Sequence, residues 1–245
     1  MVASPGITSG DTVTKHQAHL YQLPLTPYED AWQLQQTVHR ARVDNTTTDT
    51  LLLLEHPPTY TVGRRVEDAF RLVDENARIE HGIPIYQTER GGLITYHGPG
   101  QLVGYPILKL MTYCRGPKTY MHMLEDVLIR LLQEFGLQAG RRDRCTGVWI
   151  ADRKIAALGV HISRGVTTHG FALNVTNDLR PYEWIVPCGI EGCIVTSMTK
   201  ELGARVGVAW VSNRLCKIFA ETFGLEFQQE RHDPLNNKDE KAYVT

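Results

Sequence analysis

The sequence predicts an α+β fold, a mixed and mostly antiparallel sheet with helices packed on it. Three observations point there. Strand-like segments follow one another from 145 to 175 with only tight turns between them, so they pair locally. Two amphipathic segments, 117–135 and 208–223, stand far apart in the chain. Between them and the N-terminus, TLLLLEH at 50–56 is continuously apolar, as in a strand covered on both faces.

AHLYQLPL (18–25) reads as a first strand. Thr26-Pro27-Tyr28-Glu29 then has the form of a capping box with proline at the first helical position. The helix it starts carries Tyr28, Ala31, Leu34, Val38 and Ala41 on one face. After the TLLLLEH strand, EHPPTYTVGRR breaks out as a loop or extended arm. ERGGLITYHGPGQLVGYP (89–106) spends five glycines and two prolines around His97. The best helix runs from Pro117 to Phe135, with Tyr120, Leu124, Val127, Leu128, Leu131, Leu132 and Phe135 on its apolar stripe and Gly136 placed to end it. The meander that follows turns near Ala151-Asp152-Arg153 and Arg164-Gly165, and a last helix spans 208–223. Residues 18–227 are expected to form one domain, with polar, aperiodic and flexible tails at 1–17 and 228–245.

Composition excludes several function classes. With 26 Lys+Arg against 27 Asp+Glu in 245 residues, no global charge draws nucleic acid or an anionic membrane. No apolar run is long enough to span a bilayer, and MVASPGITSGDTVTK has neither the basic start nor the apolar core of a secretory signal, so a cytoplasmic protein is expected. Five cysteines without a CxxC pair fit reduced thiols. The glycine loop is not a phosphate cradle. It lies between strands, its spacing is GxGxxxG, and no GxxxxGK[ST] occurs in the chain.

Among the cysteines, Cys216 falls on the apolar face of the last helix, and Cys114 and Cys145 read as surface thiols. Cys188, between Pro187 and Gly189, sits on a bend that suits a nucleophile at a sheet's rim, with Cys193 the next candidate. In RKIAALGVHIS, alternation sends Lys154, Ala156, Leu158 and Val160 to one face, so a single ammonium heads an apolar row. It is either a solvated strand end or the partner of a thiol. An ammonium about 4 Å from a thiolate at an effective dielectric of about 20 supplies roughly 4 kcal/mol, enough to depress the thiol by a unit or two. His97, His161 and His169 lack a metal-site spacing, and either hydrogen-bonding roles at a pocket rim or plain surface positions are expected for them; no metal is expected.

RGGLITYHGPGQLVGYPIL (90–108), DRKIAALGVHISRGVTTHGFALNV (152–175) and WIVPCGIEGCIVTS (184–197), with LLLLEHPPTYTVGRR before them, resemble the octanoyltransferases of lipoate biosynthesis over residues 18 to 225. The resemblance implies the catalytic fold of biotin and lipoate protein ligases and a Cys188/Lys154 dyad. It also implies an acyl pocket lined by Arg90, Gly91, Gly92, Thr95, Tyr96, His97, Ala157, Leu158, Gly159, Gly170, Phe171 and Ala172. The implied reaction passes an octanoyl group from octanoyl-acyl carrier protein, through a cysteine thioester, to a lysine of a lipoyl domain. Acceptors would be the lipoyl domains of 2-oxoacid dehydrogenases and the glycine-cleavage H protein. No cofactor is implied, since thioester exchange and amide formation need no nucleotide, and a monomer is expected. Arg141, Arg142, Arg144 and Arg164 are candidates for docking an acidic carrier domain, or else are simply solvated arginines. Glycines let backbone approach a linear acyl chain closely, and burial at about 0.8 kcal/mol per methylene makes chain length the selectivity device. The competing readings are an ATP-dependent ligase of the same fold, a noncatalytic carrier-binding module, and a Cys/His hydrolase.

Overall fold

A computed structural model describes residues 15–64, 74–143, 145–186 and 192–229. Strand β1 (His16–Leu25) leads through Thr26 and Pro27 to helix α1 (Tyr28–Val43), and strand β2 follows at Asp49–Glu55. Strand β3 (Thr59–Val62), the short helix α2 (Glu75–Glu80) and strands β4 (Ile85–Gln87) and β5 (Ile94–His97) come next. Then follow β6 (Gln101–Ile107), helix α3 (Pro117–Glu134), and the strands β7 (Gly140–Arg142), β8 (Cys145–Ile150), β9 (Arg153–Ser163) and β10 (Val166–Asn174). The last elements are β11 (Ile194–Val195), α4 (Met198–Leu202), α5 (Val208–Phe223) and β12 (Leu225–Gln229).

The main sheet is nine-stranded, in the order β12-β1-β2-β6-β10-β9-β8-β7, with β11 beside β9. Its centre and one flank are antiparallel, while β12–β1, β1–β2 and β11–β9 are parallel. Strand β2 shows why the continuous apolar run was needed. Leu51 and Leu53 point into the larger core beneath α3 and α5, and Leu52 and Leu54 into the core under α1. The meander turns carry Ala151 at φ +52°, Arg164 at +49° and Gly165 at +78°, the left-handed geometry of tight hairpins.

Three features depart from the sequence reading. The capping box does not form, because the Thr26 hydroxyl donates to Pro24 O (2.9 Å) and its N–H to Glu55 O, leaving Pro27 as the unassisted N-cap of α1. The expected arm at 55–65 is a strand in part: β3 is the middle of a second sheet, β4-β3-β5, and its four residues are all buried. Its partners come from later in the chain, beyond reach of local pattern reading. Strand β1 also starts two residues before the expected strand at 18–25, since His16 and Gln17 pair with Leu225 and Glu226 of β12, which runs to Gln229.

Candidate active site

The second sheet, the start of α1 and the loop at 90–93 roof over the face of the main sheet that α1 leaves open. Between roof and sheet lies a narrow, half-enclosed pocket lined from both layers. Its floor follows from strand pairing. Ala157 lies opposite Ala172 and Gly159 opposite Gly170, so the cross-strand pairs on either side of Leu158–Phe171 carry almost no side chain. A methyl group on Gly170 would stand 2.3 Å from Gly104 O, and one on Gly159 would stand 2.8 Å from Gly91 O. The glycines therefore let three backbones close around one slot.

Pro106 interrupts the ladder between β6 and β10, since it has no N–H to give. Pairing in register stops at Phe171–Gly104, and His169 bulges with φ +55°. The bulge turns the His169 N–H to Gln35 Oε1 of α1 (2.8 Å), while its ring lines the pocket with Nε2 3.8 Å from Glu89. Burial lowers the His169 pKa.

The roof is held by a buried polar chain. Arg90 donates to Thr61 O (2.6 Å), Leu93 O (3.0 Å), Gly91 O (2.9 Å) and Thr61 Oγ1 (3.0 Å). The Thr61 hydroxyl meets His97 Nε2 at 3.2 Å, and His97 Nδ1 meets Gln101 Oε1 at 2.8 Å. Gln101 Nε2 donates onward to Asn174 Oδ1 and Tyr96 O. His97 is thus a neutral imidazole with Nδ1 protonated, its pKa pushed well down by burial and then by neighbouring His56. His56 behaves alike. Its Nδ1 donates to Thr26 O, Tyr105 O–H donates to its Nε2 (both 2.7 Å), and burial lowers its pKa to about 4.

Lys154 reaches a cavity beside this pocket through a register slip. Val148 pairs with Ala156 but Trp149 pairs with Lys154, so β9 carries one extra residue there. Ile155 and Ala156 both enter the large core, and the expected row of Lys154 with Ala156, Leu158 and Val160 is broken. Lys154 instead stands opposite Trp149 and borders a small cavity with Thr95, Ala156, Ala157, Asn174, Tyr182 and Val195. Thr95 and Ala157 also line the main pocket, so the two spaces adjoin. Lys154 is 4% exposed, which removes the solvated-edge reading. Its Nζ donates to Thr146 O at 2.9 Å and stands 5.4 Å from the Trp149 ring centroid.

Of the residues expected in the acyl pocket, Arg90, Gly92, Thr95, His97, Ala157, Leu158, Gly159, Gly170, Phe171 and Ala172 line it. Gly91 instead ties the loop to β9 through its N–H to Val160 O (3.0 Å). Tyr96 turns away, into an aromatic cluster with Tyr60 and Tyr182. Thr61, His169 and the apolar or aromatic Tyr28, Leu93, Ile94 and Tyr105 complete the lining. Cys188 and Arg144 lie outside the described residues. The segment bearing Cys188 is bounded by the turn at Arg180–Trp184, whose Tyr182 borders the Lys154 cavity, and by β11, whose Val195 pairs with Lys154. Cys193 is half-buried, and Cys216 is buried, which pushes its pKa up to about 12. Arg141 is engaged by Glu125 and Asp126 (both 2.7 Å), Arg142 lies 5.3 Å over Trp149, and Arg164 is at the β9–β10 turn. His161 Nδ1 accepts from Arg64 (2.6 Å). Among the described residues no three His, Cys, Asp or Glu side chains gather as a metal site, and no helix is long and apolar enough to cross a membrane.

The architecture is that of the lipoate protein ligases. It matches a lipoate-protein ligase A bound with ATP at TM-score 0.73 and 16% identity, over 91% of both chains. It matches a bi-partite lipoate protein ligase of Thermoplasma acidophilum at TM-score 0.69 and 18% identity, over 90% of this chain and 89% of that one. At such identities the likeness is one of fold. The model of the lipoyl protein ligase A/B catalytic domain matches residues 27–220. Within that group the chain is 46% identical over 202 residues to an octanoyltransferase of Rubrobacter xylanophilus, covering 82% of this chain and 90% of the relative. It is 42% identical over 208 residues to an octanoyltransferase of Caldicellulosiruptor saccharolyticus, covering 84% and 88%. The chain belongs to the octanoyltransferase family of acyltransferases.

Proposed function

We propose that the protein moves an octanoyl group from octanoyl-acyl carrier protein to the ε-amine of a lysine on a lipoyl domain, by way of an octanoyl thioester on Cys188. The carrying observation is a buried ammonium, Lys154, beside a slot whose floor is two pairs of glycine and alanine. A linear acyl chain needs width, not hydrogen bonds, and such a floor supplies it.

In the first half, the Cys188 thiolate attacks the thioester carbon. As the bond to the carrier's sulfur breaks, the Lys154 ammonium gives that sulfur a proton and becomes a neutral amine. In the second half, the acceptor lysine attacks the acyl-enzyme, Lys154 takes the proton its nitrogen loses, and the bond to Cys188 breaks to restore thiolate and ammonium. Protons and charge balance over the cycle. The roof residues Arg90, Thr61 and His97 hold the slot's shape, since their hydrogen bonds are spent on one another. A thiolate nucleophile suits a reducing compartment such as the cytoplasm. Lipoyl domains of 2-oxoacid dehydrogenases and the glycine-cleavage H protein are the proposed acceptors.

The test mixes the protein with octanoyl-carrier protein without ATP and takes an intact mass. A mass increase of one octanoyl group, removed by hydroxylamine and absent in Cys188→Ser, is the expected result. Transfer that requires ATP, or persists undiminished in Cys188→Ser, rejects the reading; free octanoate without acceptor modification would make the protein a hydrolase.

A further inference from the structure

Among the described residues the transfer scheme leaves two buried carboxylates unused, Asp49, which pairs with Arg42, and Glu125. Glu125 is the acidic residue among the buried positions of α3, and it is 5% exposed. Its Oε2 accepts from Arg141 Nε (2.7 Å) and His122 Nδ1 (3.1 Å). Its Oε1 accepts the Gly147 N–H at 3.2 Å. That N–H belongs to the same planar peptide group as the Thr146 carbonyl, which accepts from Lys154 Nζ at 2.9 Å. A single amide therefore joins a carboxylate on one side to an ammonium on the other. Hydrogen bonds in series inside a protein polarise one another in the same sense, so a carboxylate pulling on the N–H makes the carbonyl a stronger acceptor for the ammonium.

The same peptide also sets the space Lys154 occupies. Gly147 has φ +133°, a conformation open to glycine and strained for other residues. A Cβ there would stand 2.6 Å from Lys154 Cε and 2.7 Å from Ala156 O. Turning the amide so that its N–H meets Glu125 thus aims its carbonyl at Nζ and clears the lysine's path together.

We propose that Glu125 is a positioning residue for Lys154, acting through the Thr146–Gly147 peptide to fix where the ammonium stands on the pocket face. The geometry stands by itself, while its kinetic consequence rests on the catalytic reading of Lys154. Among the described residues, Tyr182 borders the Lys154 cavity, Arg142 shares the Trp149 ring with Lys154, the Arg153–Glu201 ion pair lies next along β9, and His122, Arg141 and Asp126 surround Glu125 on its outer side.

The experiment compares the full chain with Glu125→Ala, Glu125→Gln and His122→Ala, using lysine carrying 13C at the ε position and assigning Lys154 by its loss in Lys154→Arg. Glu125→Ala is expected to move the Lys154 resonance and to lower kcat by roughly 10–100-fold at unchanged KM. Glu125→Gln keeps an oxygen for the Gly147 N–H but loses the charge, and gives a smaller movement of the same kind. His122→Ala removes only an Oε2 contact and leaves resonance and rate within about two-fold of the parent. An unmoved Lys154 resonance in a folded Glu125 variant, or an equal movement in His122→Ala, overturns the proposal. Should Glu125→Ala fail to fold, Glu125→Gln with native circular dichroism decides in the same way. A moved resonance with unaltered turnover upholds the positioning and rejects Lys154 as the proton carrier.

Discussion

Lys154 and Trp149 are cross-strand partners, and the lysine's Nζ lies 5.4 Å from the indole centroid on the pocket face of the sheet. Arg142 takes up a position 5.3 Å from the same ring, so the indole attracts two cations. Such contacts are worth about 0.5–2 kcal/mol each, more when desolvated. Trp149→Leu keeps an apolar side chain but no ring face. It should lower acyl-enzyme formation by about 3- to 30-fold, with Trp149→Phe between the two, as read from single-turnover mass spectrometry. Equal rates in all three would show that the ring does not hold the ammonium.

Gly147→Ala is the sharpest disturbance of the lysine that leaves its chemistry unaltered. The added methyl meets Lys154 Cε at 2.6 Å in a backbone conformation that alanine avoids. A stability loss of about 1–3 kcal/mol and a fall in transfer of about 100-fold are expected, measured by urea titration and octanoyl-lysine formation. Gly140→Ala on β7, where an added Cβ meets nothing within 4 Å, is the control and should change neither.

Chain length should be set by the floor. Ala157 and Ala172 face each other beneath the slot, and replacing either by valine fills space that an acyl chain would use. Each methylene excluded costs about 0.8 kcal/mol, or roughly four-fold in kcat/KM. Ala172→Val should therefore move the preferred donor to a shorter acyl chain, checked by kcat/KM across donors of four to ten carbons. An unchanged length profile with reduced rate would mean the chain lies elsewhere.

His56 makes stability depend on pH. Its folded pKa of about 4 lies below the ordinary 6.5 of histidine, so between those values the unfolded chain binds a proton that the folded one refuses. Its contribution is complete above about pH 6.5 and is lost as pH falls toward 4, an effect on the order of 3 kcal/mol. His97, also held neutral by burial, acts in the same direction. The melting temperature should fall through this window, and His56→Gln should flatten the slope while lowering stability at pH 7.

Much of the fold was legible because it is local. The α3 stripe from Tyr120 to Leu132, the two meander hairpins and α5 at Val208–Phe223 each follow from periodicity and turn residues close in sequence. What escaped was nonlocal. β3 finds its partners in β4 and β5, and nothing in TYTV identifies them. The pocket was legible in its glycines and in Arg90 and His97, but Tyr28 reads only as a helix-face aromatic and Tyr105 as a strand aromatic. The row expected to start at Lys154 was misplaced by face, because alternation assumes an unbroken ladder and a one-residue bulge at Ile155 reverses it. Glu125 gave no signal, since an acidic residue on an amphipathic helix ordinarily faces water.

Strand β1 lies between β2 and β12, and its hydrogen bonds to β12 join residues 209 apart in sequence, as Gln17 and Glu226 do. On the ribosome, the far side of β1 must stay unclaimed until residues 225–229 have emerged. Such distant, parallel pairing forms slowly. Meanwhile an unpaired strand edge invites intermolecular pairing, so a chaperone that shields nascent β-edges should raise the yield of this protein more than one acting after release.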